Sequence, residues 1–302
     1  MMEHKDPYVA AVLRQLRNQP IVQDVCPCCD STNLVAGPLH IPAFFIERML
    51  NMVMLDRIGA RAIQCLDCHF VCSEFRYTDE QMQRYYHEYM QMESGNDRKY
   101  GNYVFHRIRA EGTDWTSLLG LYKQPWWINA RKEAIVNVLK SKNINLSNIT
   151  SVLDFGGDLG QYIPDEFNHA RRHVVEIEDR NFVKGVTAVS SPDDCDPVDL
   201  VLCCHTLEHV SWPNDLVVEM KRYLKPGGLL YIEVPDETEV VNNSSTDKTT
   251  LTMHEHINIF WSQSLVALVE RNGFEVVAGG KIPYGEVHKD LDPARAILAR
   301  LL

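Results

Sequence analysis

The sequence predicts an α/β protein built on a doubly wound parallel sheet, with a small cysteine-rich module ahead of it. Three observations predict this. After residue 140, short apolar runs alternate with amphipathic segments, the pattern of strands joined by crossover helices. One run, Val152-Leu153-Asp154-Phe155, passes directly into a glycine-rich turn, Gly156-Gly157-Asp158-Leu159-Gly160, as the first strand of a ligand-binding sheet does. Near the start, Cys26-Pro27-Cys28-Cys29 and Cys65-Leu66-Asp67-Cys68 form two CxxC knuckles.

The chain has 302 residues, 45% apolar and 24% charged, a composition that fits folded domains and excludes collagenous, coiled-coil and wholly disordered chains. Thirty Lys and Arg against 41 Asp and Glu give a net charge of -11, which repels a phosphate backbone, so nucleic acid is not the expected partner. No run reaches the roughly 18 apolar residues of a membrane span, and Glu3, His4, Lys5 and Asp6 do not open a signal peptide, so the expected location is the cytoplasm with no membrane span. In that reducing compartment nine cysteines point to metal before disulfides.

In chain order, residues 6–19 carry Val9, Val12, Leu13 and Leu16 at helical spacing before Pro20. They open a module over residues 1–78. Two thiolates at i and i+3 on a tight turn converge on one cation, and two such turns complete a tetrahedral sulfur shell, so Cys26, Cys29, Cys65 and Cys68 are the expected ligands of a structural zinc. Between the knuckles, residues 43–58 show helical periodicity. A helical, aromatic-rich connector is expected over residues 79–145, where Tyr85, Tyr86, Tyr89, Trp126 and Trp127 either pack a domain junction or form a lid. A ligand-binding domain is expected over residues 146–302. Its strands are placed at residues 151–155, 173–177, 200–204, 229–234 and 274–278, with helices at 213–224 and 262–272 ended by Pro226-Gly227-Gly228 and Gly273. The glycine turn is expected to open toward a helix, and the polar residues 242–250 to form a loop.

Charge separates the candidate ligands of the turn. A dinucleotide brings a pyrophosphate, which Asp154 and Asp158 would repel. The same carboxylates suit S-adenosylmethionine, which carries a sulfonium and an amino group and no phosphate. Gly156, Gly157 and Gly160 let the backbone approach the ligand, and Glu176 or Glu178, near the end of the second strand, can take the ribose hydroxyls.

Asp154 to Gly160, residues 198–210 (VDLVLCCHTLEHV), 224–235 (LKPGGLLYIEVP) and 254–260 (HEHINIF), followed by Arg271-Asn272-Gly273-Phe274, resemble the Rossmann-like class I S-adenosylmethionine-dependent methyltransferases. The knuckles followed by Tyr77-Thr78-Asp79-Glu80 resemble the zinc-binding head of sugar C-methyltransferases and related enzymes of polysaccharide and antibiotic clusters. Asp158 departs from the glycine many relatives carry there. The resemblance implies methyl transfer to a small-molecule acceptor, such as a nucleotide sugar or glycan intermediate. The alternatives are a zinc-containing RNA methyltransferase, which the acidic charge disfavours, and a non-catalytic binding protein that keeps the fold.

Methyl transfer is an in-line displacement, so alignment supplies most of the catalysis, and a base is needed only where the acceptor loses a proton. His205, Glu208 and His209, and then His254, Glu255 and His256, lie where loops leave the carboxyl ends of strands and are the candidate bases, with His205, His209 and His254 favoured. His205 also borders the expected cofactor site.

Overall fold

The computed structural model describes residues 22, 24–40, 60–78, 80–83, 124–176, 181–238, 241, 256–282 and 294–302. The helices expected at 6–19 and 43–58, most of the connector and the polar loop at 242–250 lie outside these residues.

Seven strands form the main sheet: β4 (Ser151–Phe155), β5 (Arg171–Val175), β6 (Val186–Ala188), β7 (Val198–Cys204), β8 (Leu224–Pro235), β10 (Phe274–Ile282) and β11 (Ala294–Leu301), in the order β10-β11-β8-β7-β4-β5-β6. The strands from β6 through β4 to β8 are parallel. The last strand, β11, runs antiparallel between β8 and β10. The chain leaves β4 toward β5 on one side and returns to β7 on the other, so the switch point of the sheet lies between β4 and β7, directly above the glycine turn.

Both faces of this sheet are covered, which is why the interior strands read as near-continuous apolar runs rather than alternating ones. Helix α1 (Pro125–Ser141) starts with Pro at its first turn and contains no glycine. Its Ala130, Ala134, Ile135 and Leu139 cluster with Val152, Leu200, Leu202 and Leu229 on one face. On the other, Val217 and Met220 of α2 (Pro213–Arg222) and Leu265 and Leu268 of α3 (Ser262–Arg271) cluster with Leu153, Val201, Leu230 and Ile232. Truncating one such fully buried leucine to alanine costs about 2–5 kcal/mol.

Three differences from the sequence expectations have physical causes. No α-helix follows the glycine turn: Asp158 and Gly160 hold positive φ, and Pro164 leaves only a single 3-10 turn at Asp165–Phe167. The Pro226-Gly227-Gly228 break lies inside β8, where Gly227 takes φ 74° and the pairing with β7 shifts register. Strand β11 was not expected at all, because its Ala, Arg and Leu content favours helix and only tertiary contacts make it a strand.

A second, antiparallel sheet, β1-β2-β3-β9, carries the cysteines. It comprises β1 (Leu34–His40), β2 (Ala60–Cys65), β3 (Val71–Ser73) and β9 (Asn258–Ile259). The first knuckle precedes β1 and the second turns β2 into β3. Strand β9 comes from the segment just before α3, so the two parts of the molecule share a sheet edge. Phe70 meets Phe260 with ring centroids 5.0 Å apart, and the Cys28 thiol donates to the carbonyl of Ser264 at 3.0 Å.

Candidate active site

The glycine turn is shaped by contacts that leave no room for a Cβ. Gly156 has φ 70°, and a Cβ there would stand 2.6 Å from Thr206 Oγ1. At Gly157 it would fall 2.3 Å from the Asp154 carboxylate carbon, and at Gly160 (φ 76°) 2.9 Å from Val186. Asp154 itself is 1% exposed and its Oδ2 has no hydrogen-bond partner. Burial pushes its carboxyl from 3.8 up to about 7, with Arg131 pulling the other way and Glu176 adding to the rise.

Four of the five backbone N–H groups of the turn are already engaged, Gly156 with the Val175 carbonyl and Gly160 with the Gly157 carbonyl. Asp158 donates to Glu176 Oε2 at 3.0 Å and Leu159 donates to Gln161 Oε1 at 2.9 Å, while Gln161 Nε2 donates to Asp158 Oδ2 at 3.0 Å. A phosphate cradle needs several open N–H groups at a helix N-terminus, and among the described residues no α-helix starts at this turn. Glu176 thus stands at the carboxyl end of β5, braced against the turn. Glu178 lies outside the described residues.

Across the switch point, the chain turns sharply after β7. His205 takes φ 53°, a conformation that costs a non-glycine residue about 1–2 kcal/mol and recurs at functional sites. Its N–H donates to the Glu233 carbonyl at 2.8 Å, its Nε2 lies 3.2 Å from Glu233 Oε1, and its Nδ1 lies 3.5 Å from Glu208 Oε1. Glu233 is fully buried, accepts from the Tyr231 hydroxyl at 2.7 Å and lies 3.4 Å from Arg131 Nε. Arg131 in turn stacks over Tyr162 at 4.8 Å and Trp127 at 5.5 Å.

The same turn carries Glu208 and His209. Glu208 is 1% exposed, and neither carboxylate oxygen has a hydrogen-bond partner. Burial raises its carboxyl, His209 and His256 lower it, and Glu237 raises it. His209 Nε2 lies 3.8 Å from Glu208 Oε1 and the His209 ring meets His256 edge-on at 4.8 Å. His256 Nδ1 pairs with Glu237 at 2.9 Å. Glu208, His209 and His256 each offer one donor atom within 4.8 Å of the others, a donor set able to take a divalent cation.

His205 and His209 therefore stand together on the rim, 1–5 residues beyond the end of β7. His254 lies outside the described residues, and His256 stands at the rim beside His209. Sequence reasoning passed over Glu233, Arg131 and Glu237. Glu233 lay in plain view as an acid within the run Leu229-Leu230-Tyr231-Ile232-Glu233-Val234, whereas nothing local marks Arg131 as its partner.

In the second sheet, the sulfurs of Cys26, Cys29, Cys65 and Cys68 all lie within 4.8 Å of one another. Cys26 and Cys68 approach to 3.7 Å, as do Cys29 and Cys65. The hydrogen bond with Cys68 and burial push the Cys26 thiol up, so a thiolate at that position calls for a compensating cation. Cys28 turns away to Ser264, and burial pushes the Cys72 thiol up to about 11.

A family model for a methyltransferase domain matches residues 79–278. Comparison with curated proteins gives no significant match. Among solved structures, the chain is similar to 1,6-didemethyltoxoflavin-N1-methyltransferase from Burkholderia thailandensis, solved with 1,6-didemethyltoxoflavin and S-adenosylhomocysteine, at 16% identity over 68% of this chain and 91% of that one, TM-score 0.45. It is also similar to the plantazolicin methyltransferase BpumL in complex with S-adenosylhomocysteine, at 13% identity over 62% of this chain and 89% of that one, TM-score 0.44. The N-methyltransferase NodS from Bradyrhizobium japonicum follows at 12% identity, covering 60% and 90%, with TM-score 0.41.

Proposed function

The chain belongs to the methyltransferase-domain family as a class I, S-adenosylmethionine-dependent enzyme, and from that premise we propose that it methylates a small polar acceptor, a sugar or sugar-containing intermediate of polysaccharide or natural-product biosynthesis. The single observation that carries the cofactor assignment to these residues is Asp154. A buried carboxylate oxygen without a donor, beside a turn most of whose N–H groups are already bonded, fits a cationic ligand and not a phosphate. Asp154 and the backbone of Gly156 and Gly157 hold the methionine end, Glu176 takes the ribose, and Asp158, Gly160 and His205 border the site.

When bound, S-adenosylmethionine supplies a methyl carbon whose bond to sulfur breaks as the acceptor atom bonds to it, leaving the electron pair on sulfur in S-adenosylhomocysteine. The chain's own residues align the acceptor and take its proton. His205 has a carboxylate at each ring nitrogen, an arrangement that fixes its orientation. His209, paired with the buried Glu208, is the proton acceptor on the rim. His254 would join them from the adjoining segment. Polar groups from Glu208, His209, His256 and Glu237 suit a hydroxyl-bearing acceptor. The acceptor class also rests on the four cysteines, read as a structural zinc site like the head of the sugar C-methyltransferases.

Calorimetric titration with S-adenosylhomocysteine is the test. Saturable binding by the parent, lost in Gly157→Val, is expected; a parent protein that does not bind ends the reading.

A further inference from the structure

The turn that carries Glu208 and His209 is held from the cysteine module, and one side chain makes most of the connection. Arg76 follows β3 and is completely buried. Its Nη1 donates to the Ser211 carbonyl at 3.1 Å and to Asn258 Oδ1 at 2.7 Å, and its Nη2 donates to the Ser73 carbonyl at 2.9 Å. Asn258 lies on β9, the strand the main domain lends to the module. It donates onward from Nδ2 to the carbonyls of Leu207 at 3.1 Å and Val210 at 2.6 Å. The backbone closes the same loop: Ile257 and Asn258 N–H both donate to the Glu208 carbonyl at 3.0 and 3.1 Å, and Tyr77 N–H donates to Ser211 Oγ at 2.8 Å.

Apart from the Nη2 bond to Ser73, which anchors Arg76 to its own strand, every bond in this set ends on the turn at residues 207–211 or on the β9 segment that bears His256. A buried guanidinium has a fixed planar fork, so it sets direction as well as distance. The knuckle feeds into the same strut, because Cys65 N–H donates to the Phe70 carbonyl at 2.8 Å and β3 pairs with β9 at Val71↔Ile259 and Cys72↔Asn258.

We propose that Arg76, acting through Asn258, is a positioning residue for methyl transfer: it fixes the Glu208–His209 turn against His256, and so makes the cysteine module a working part of the acceptor site. This rests on the reading of the rim as the acceptor side. It adds that the cofactor contacts at Asp154, Gly157 and Glu176, none of them bonded to Arg76 or Asn258, do not depend on the strut.

The test compares Arg76→Met, which keeps the stem and removes all donors, with Arg76→Lys, which keeps a cation and one or two of the bonds. Two quantities are read in each full-length variant: the dissociation constant for S-adenosylhomocysteine, and the side-chain NMR signals of His209 and His256, displaced in the parent by their edge-on packing. The expected outcome is cofactor affinity within about twofold of the parent, with the displaced histidine signals lost in Arg76→Met and largely restored in Arg76→Lys. Unchanged histidine signals in Arg76→Met overturn the proposal, and so does cofactor affinity that falls in parallel with them. If Arg76→Met does not fold, Asn258→Ala gives the same two readouts, and unchanged signals there overturn it equally. Failure of the parent to bind S-adenosylhomocysteine would sink the functional reading instead, while the histidine signals would still report on the strut.

Discussion

Asp154 concentrates the electrostatics of the site in one carboxyl. Its ordinary value of 3.8 is raised to about 7 in the fold by burial, so the protonated form is the one the cofactor-free protein prefers. The stability this confers is complete below about pH 3.8 and is lost as pH rises through about 7. Asp154→Asn is therefore expected to raise the melting temperature of the cofactor-free protein at pH 8 and to flatten its decline between pH 4 and 7. A variant melting like the parent across that range would refute this. A cationic ligand favours the ionised carboxyl, so binding of S-adenosylmethionine near pH 6 should release a proton, visible as a binding enthalpy that changes with the ionisation enthalpy of the buffer. Gly157→Ala presses a methyl group onto the same carboxylate and should cost both stability, by about 1–3 kcal/mol, and cofactor affinity, measured by denaturant melts and calorimetry. Asp154 and the glycines were legible because strand, acid and turn are contiguous in sequence. Arg131 was not, since only the packing of α1 on the sheet brings it to Glu233.

Among the elements, α3 does two jobs. One face packs into the main core, and its end reaches the first knuckle, where Arg271 donates to the Cys28 carbonyl at 3.2 Å and pairs with Asp30. Cys65→Ser should lower bound metal, measured by atomic emission, and the melting temperature together. A variant that loses metal but melts unchanged would contradict a structural role. The strands around the turn and both helices flanking the PGG break were readable from apolar runs, caps and glycines. The sheet of the cysteine module was not, because β9 pairs with β3 across nearly two hundred residues and offers only Asn258 and Ile259. The helix expected after the glycine turn failed for a local reason, the two positive-φ residues and Pro164.

For the molecule as a whole, the cysteine module and the main domain are not independent. Cys26, Cys65, Cys68 and Phe70 belong to the same buried cluster as Leu230, Leu265 and Ile297. Differential scanning calorimetry should accordingly give a single transition, which a metal chelator moves to lower temperature as a unit. Two separable transitions would mean the shared cluster does not couple them. Charge acts at this scale too: the chain carries a net -11, while the rim sets its own local balance of acids and histidines.

Strand β11 sits between β8 and β10, yet it is the last of them to be made. While the ribosome is still adding residues 294–301, β10 has no partner on its inner edge and the β8 edge stands bare, so the nascent chain reaches its native pairing only after that stretch has emerged. Insertion of β11 is then the step that closes this side of the sheet, and until it happens the β8 edge presents unpaired N–H and C=O groups.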